Sequence, residues 1–182
     1  MTVAPLLFFH DTSVLVNFHR PGLIPVLRPL LRGNVRWTGT IRTECIRQEA
    51  VLGLEGLVEA AEELLGEPLF PEPNEHVAIR QLRRQMSSPG DHPQQHLGEA
   101  EAITLIQKRR LRAVFVTDDR AAIRWADPIE CVGTWKLIRS ARRRDLVTRD
   151  EARGLWRSFM DAGGVPPREL CTEDAFVRSL DS

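Results

Sequence analysis

Four short runs rich in β-branched and aromatic residues, "PLLFFH", "NVRWTG", "RAVFVT" and "IECVG", punctuate this chain, and each is followed by a stretch with helical spacing. Strands that alternate with helices need crossover connections, so the pattern predicts an α/β fold. Its centre is a parallel sheet of about four to five strands flanked by helices on both faces. The first strand is read as Leu6 to His10, with a helix starting near Thr12. "LIPVLRPLLRG" is helical and ends at Gly33, as a C-cap would end it. "TIRTECIRQEAVLGL" and "LEGLVEAAEELLG" form helices separated by Gly53, and "EPLFPEPNE" is a proline-rich connector.

"HVAIRQLRRQM" is amphipathic, and "SSPGDHPQQHLG" after it is the clearest loop, read as a mobile lid. Helices follow at "EAEAITLIQKRR", "RAAIRWA", "TWKLIRSARRR" and "TRDEARGLWRSFMDAG". Residues 1–147 are expected to form the sheet domain. Residues 148–182 are expected to be a C-terminal helical extension packed on the same domain.

The formal charge is zero, with 25 basic and 25 acidic residues, so attraction to nucleic acid or membrane must come from local clusters. The bases are nearly all arginine, which grips phosphate in a bidentate fashion but also follows from GC-rich coding. Cys45, Cys131 and Cys171 are odd in number and lack zinc-type spacing, which argues against a disulfide framework or thiolate metal site and for a reducing, cytoplasmic setting. "MTVAPLLFFHDTSVLV" has no basic start and is broken by His10 and Asp11, so neither a signal peptide nor a membrane anchor is expected.

In open parallel sheets, functional groups collect where strand carboxyl ends turn into helices. Asp11 follows "PLLFFH", and Asp118 with Asp119 follows "AVFVT". A single aspartate at such a position is explained by helix capping. Company changes the argument: Glu99 opens "GEAEAITLI" and Glu44 lies one turn into "TIRTECIRQ". Adjacent like charges near 4 Å repel by roughly 4 kcal/mol at an effective dielectric of about 20. An oxygen-seeking divalent cation, Mg²⁺ or Mn²⁺, would turn that repulsion into binding.

The order "HDTSVL" after the first strand, a glutamate on a later helix, "GEAEAI" and then "VTDDRAA" resembles the PIN-domain family of metal-dependent ribonucleases, which includes VapC-type toxins. The likeness runs from about Leu6 to Ala126, and "GTWKLIRSARRRDLV" resembles the continuation in the branch bearing "GEAEAI" and "TDD". It implies Asp11, Glu44, Glu99, Asp118 and Asp119 as metal-holding and catalytic residues. Glu99 stands where many relatives have aspartate. The T-x-D pattern aligns Thr117 with Asp119 and leaves open which of Asp118 and Asp119 is the main ligand. Glu49 is the rival of Glu44, read as a solvated charge. Glu101 lies about 200° round the helix from Glu99, and so is expected to face solvent.

The activity so implied is RNA phosphodiester hydrolysis by metal-activated water, leaving 3′-hydroxyl and 5′-phosphate ends. Ser13, Thr117, Arg84 and Arg120 are candidate substrate contacts, with Arg80, Arg83, Arg124 and the run Lys108 to Arg112 as further phosphate-facing candidates. The resemblance also implies a homodimer and, for a toxin, a protein antitoxin as partner. His10 is read as a strand residue, and Pro93 argues against His92 and His96 sharing a helix face. Trp37, Trp125, Trp135 and Trp156 are read mainly as core. Two other readings stay open: a catalytically inactive PIN-fold scaffold or RNA-binding module, and a receiver-like phospho-acceptor domain using Thr117 and Lys136.

Overall fold

The structure is a computed structural model, and it describes residues 4–180. Strand β1 (Leu7–His10) leads into α1 (Thr12–His19) and α2 (Ile24–Leu30), then β2 (Val35–Arg36). Helices α3 (Gly39–Leu52), α4 (Leu57–Leu65), α5 (His76–Met86) and α6 (Leu97–Lys108) precede β3 (Ala113–Val116). The chain continues through α7 (Arg120–Trp125), β4 (Glu130–Val132), α8 (Thr134–Arg143) and α9 (Arg149–Asp161), and ends with a 3₁₀ turn (Arg168–Leu170) and α10 (Glu173–Ser179). Gly53 closes α3 in the left-handed conformation, φ 63°, as expected of a glycine stop.

The sheet has four strands in the order β2-β1-β3-β4, all parallel. Residues Leu7 to His10 pair one for one with Ala113 to Val116, and Val116 pairs with Val132, so the carboxyl ends of β1, β3 and β4 are level. The chain runs from central β1 outward to β2 on one side and later returns to β3 on the other. The two connections therefore diverge between β1 and β3, the crevice where open α/β sheets present their ligand sites.

Side-chain alternation along the strands divides the core in two. Phe9 and Phe115, both fully buried, pack on one face with Ile79, Ala100, Ile103 and Ala122 from α5, α6 and α7. On the other face Val114, Val116 and Val132 join Leu15, Phe18, Leu27, Trp37, Ile138 and the C-terminal residues Leu155, Leu170 and Phe176. The extension is thus continuous with the main core. Trp135 receives the edges of Phe159 and Phe176, at centroid distances of 4.9 and 5.7 Å. Trp37 and Trp135 are core, as the sequence suggests, whereas Trp125 is 39% exposed. Among the described residues, no helix is long and apolar enough to cross a membrane.

If the extension shares one cooperative core with the sheet, Phe176→Ala lowers global stability by about 3–5 kcal/mol. Urea denaturation followed by tryptophan fluorescence and by far-UV circular dichroism measures this. A separate early transition confined to the C-terminal helices is the contrary result.

Candidate metal centre

Asp11 leaves β1 at the crevice, and its backbone N–H donates to Val116 O at 2.9 Å, tying it to the end of β3. Its carboxylate is buried, 4% exposed, and Oδ2 accepts from Ser13 Oγ at 2.7 Å and from Thr117 Oγ1 at 3.2 Å. Thr117 Oγ1 in turn accepts from the Asp119 N–H at 3.0 Å. Both hydroxyls therefore orient Asp11, and Thr117 is fully buried.

Glu44 stands on α3 with Oε2 accepting from Thr12 Oγ1 at 2.8 Å. The start of α6 comes close above it: a Cβ on Gly98 would collide with Ile41 Cδ1 and lie 2.9 Å from Glu44 Oε1. A larger residue there would push the Ile41 and Glu44 side chains from their present positions. Glu99, the next residue, is the acid of the first turn of α6 and has a side chain 12% exposed. Glu49 points elsewhere, accepting from the Val58 N–H at 2.8 Å at the start of α4.

Glu101 corrects one expectation. It does lie away from Glu99, but that direction faces α3 rather than water. The residue is 5% exposed and accepts from the Thr40 N–H at 3.2 Å and Thr40 Oγ1 at 2.5 Å. It holds the first turn of α3 and so helps to place Glu44.

The two neighbouring aspartates have different surroundings. Asp118 Oδ1 accepts from the Thr134 N–H at 2.8 Å, and Oδ2 accepts from Asn17 Nδ2 at 3.0 Å and Thr134 Oγ1 at 2.5 Å. Both of its oxygens are occupied at the junction of α1 and α8, where Gly133 leaves room for the carboxylate. Asp119 caps α7 with Oδ1 alone, at 2.6 Å from the Ala121 N–H and 3.2 Å from that of Ala122. Its Oδ2 faces the Glu99 side, 3.8 Å from His96 Nδ1.

Asp11, Glu44, Glu99, Asp118 and Asp119 all line one cavity of about 480 Å³, together with Ser13, Asn17, Gln48 and Phe159. His96, Glu99 and Asp119 form a tighter group, each offering a ligand atom within 4.8 Å of the others, and this group could hold a metal ion. The donor set fits a divalent cation: two carboxylates, and a ring nitrogen that is buried without a hydrogen-bond partner. Sequence reasoning passed over His96 because no helix was expected to present it. The structure brings it in through a left-handed residue, φ 63°, immediately before α6. Phe159 arrives from the C-terminal extension, for which no local signal exists.

Burial, and then the nearby Asp11 carboxylate, push Glu44 up to about 7 and Glu99 up to about 8, and burial also raises Asp11. His10, fully buried with neither ring nitrogen partnered, is driven down to about 3 by burial and so stays neutral.

The basic candidates separate by partner. Arg109 is taken by Glu75, at 2.8 and 2.9 Å, and by Phe70 O. Arg83 donates to His92 O at 2.7 Å and Gln95 O at 3.1 Å, which ties the loop before α6 to α5. Arg80 and Arg84 on α5, and Arg120 and Arg124 on α7, are exposed. Comparisons with protein families, curated proteins and solved structures return no match to this chain.

Because Glu44 and Glu99 hold protons more tightly folded than unfolded, the native state carries the extra protons between about pH 4.5 and 8, and stability falls as pH rises through that window. Scanning fluorimetry after chelation should show a falling Tm from pH 5 to 8, and added Mn²⁺ should raise Tm most at the upper end. Asp118→Asn should cost about 1–3 kcal/mol by leaving buried donors unpaired. Asp119→Asn, which retains a capping side chain, should keep its stability and lose the Mn²⁺-induced rise.

Proposed function

We propose that this protein is a divalent-metal-dependent ribonuclease of the PIN type, hydrolysing RNA phosphodiester bonds with water as nucleophile. The observation that supports it is the convergence of Asp11, Glu44, Glu99 and Asp119 on one cavity at the β1–β3 crevice, from four separate elements of the chain. That is the acid order of the motifs "HDTSVL", "GEAEAI" and "VTDD".

In this reading Asp11, Glu99 and Asp119, with Glu44 behind them, hold Mg²⁺ or Mn²⁺. When bound, the ion supplies Lewis-acid stabilisation of a phosphoryl oxygen and an acidified attacking water. Ser13 and Thr117 fix the rotamer of Asp11 by donating to Oδ2. Asp118 acts as a positioning residue, locking the end of β3 to α1 and α8. Exposed Arg84 and Arg120 stand on α5 and α7, helices that pack together, and serve the phosphate backbone of a single strand. Within the same proposal the setting is cytoplasmic, and a second copy and an antitoxin protein are the partners to seek.

The receiver-like alternative is disfavoured by Lys136, which lies on the surface, 59% exposed at its side chain, and pairs with Glu130 at 3.3 Å rather than reaching Asp11. A scaffold that has lost catalysis has no observation in its favour, since every acid of the motif set reaches the cavity.

The test is cleavage of 5′-labelled RNA in Mg²⁺ or Mn²⁺. Asp11→Asn and Glu99→Gln should each lower the rate at least about 100-fold, the scale of losing one charge-stabilising group, with unchanged circular dichroism. Chelation should abolish cleavage, and the products should carry 5′-phosphate. Activity that persists in chelator, or 2′,3′-cyclic phosphate ends, would overturn the proposal.

A further inference from the structure

We propose that His96 Nδ1 is itself a ligand of the ion held by Glu99 and Asp119, and that this nitrogen shifts the site from Mg²⁺ toward first-row transition ions, Mn²⁺ among them. The inference rests on the metal-dependent reading above and deepens it by naming the class of ion.

His96 Nδ1 lies 3.8 Å from Glu99 Oε1 and 3.8 Å from Asp119 Oδ2. Both separations are too long for a hydrogen bond, and the nitrogen is buried with no partner. A buried ring nitrogen left unsatisfied between two carboxylates is costly unless something sits among the three. At metal–ligand distances of about 2.1 Å, two ligands on one octahedral ion lie roughly 3.0 Å apart when adjacent and roughly 4.2 Å apart when opposite. The two His96 spacings of 3.8 Å lie between these values, within the reach of small side-chain adjustment. The side chain is 11% exposed, so solvent has little access to the ring.

On the far side of the ring, His96 Nε2 meets the Gln95 side-chain amide nitrogen at 3.5 Å and faces Asp91 Oδ2 at 3.6 Å. These neighbours hold the ring with Nδ1 turned toward Glu99 and Asp119. Asp91 is itself fixed, accepting from the Ser88 N–H at 2.7 Å, and Arg83 holds the carbonyls of His92 and Gln95 on either side of the same loop. This strap thus holds the backbone that leads into His96.

Selectivity follows from donor chemistry. Carboxylate oxygens alone suit Mg²⁺ and Mn²⁺ alike, whereas imidazole nitrogen contributes to transition ions and little to Mg²⁺, which keeps oxygen ligands and its waters.

The experiment is Mn²⁺ titration of the full-length protein followed by electron paramagnetic resonance, with electron spin-echo modulation on the bound ion. Unsubstituted protein should show ¹⁴N modulation that changes to the ¹⁵N pattern when histidine is ¹⁵N-labelled. In His96→Asn, chosen because asparagine tolerates the left-handed backbone, the modulation should vanish and Mn²⁺ affinity should fall at least about tenfold. Mg²⁺ affinity measured by competition should change less than about threefold. Bound Mn²⁺ without histidine coupling, or coupling that survives in His96→Asn, overturns this inference while leaving a metal-dependent enzyme intact. No Mn²⁺ binding by the unsubstituted protein overturns both. Should the variant fail to fold, the isotope exchange still decides, because His96 is the histidine that the structure places in the acidic group.

Discussion

Everything at the crevice depends on keeping carboxylates out of water with little positive charge against them: at Glu44, burial outweighs the pull of Arg47. Asp11 is 4% exposed, yet its hydrogen-bond partners are two hydroxyls rather than a guanidinium or ammonium group. Burying a charge on those terms is costly, and the cost appears as raised proton affinity at Asp11, Glu44 and Glu99 together. A chain selected for stability alone would place an arginine there, as this chain does at Glu75, where Arg109 holds the carboxyl below its ordinary range. The contrast between Glu75 and Glu99 separates a structural ion pair from a carboxyl that burial and neighbouring acids hold toward its protonated form.

The surrounding fold is organised to hold that uncompensated charge. Parallel strands with level ends put Asp11 and Asp119 on one line. Gly98 lets α6 approach α3 until Glu44 and Glu99 share a cavity, and Glu101 fastens the same two helices from the other side. The adjacent aspartates avoid their mutual repulsion, about 4 kcal/mol if they faced each other at 4 Å, by dividing the work. Asp118 turns into donors from Thr134 and Asn17, while Asp119 spends one oxygen on α7 and presents the other to the site. Of the two, Asp119 is the one with a carboxylate oxygen left to offer a cation.

Sequence made the strand–helix alternation legible because each strand is a local apolar run, and it made the acids legible because strand ends and helix starts are local features too. What it left unread depends on tertiary approach. Glu101 faces the next helix rather than solvent, and helical spacing gives direction about the axis but not what lies in that direction. His96 enters the site through a backbone conformation that non-glycine residues seldom adopt, and Gly98 reads as an ordinary glycine until α3 is above it. Phe159 reaches the cavity from a helix about 60 residues beyond Glu99, in an extension that shares the main core. That Asp118 is engaged by Thr134 and Asn17 while Asp119 keeps an oxygen free of them depends on positions distant in sequence.

If RNA is the substrate, as proposed, a neutral chain with an acidic crevice must attract that polyanion by short-range means. Several of its arginines are spent internally: Arg109 on Glu75, Arg83 on the loop, Arg42 on Glu62 and Arg157 on Glu173. Exposed arginines close to the acids in sequence are Arg47, three residues from Glu44, and Arg120 and Arg124, on the helix that Asp119 caps, with Arg80 and Arg84 on the helix packed against that one. Screening limits such contacts to a Debye length, roughly 8 Å at physiological salt, so they act only once a strand is already at the crevice. Few phosphate contacts also mean a shallow salt dependence, each contributing about 0.7 to the logarithmic slope for single-stranded RNA. Under the proposed function, recognition would then rest on the fit of the scissile phosphate at the acidic cavity itself, where a bound cation would convert the most repulsive part of the surface into the most attractive one.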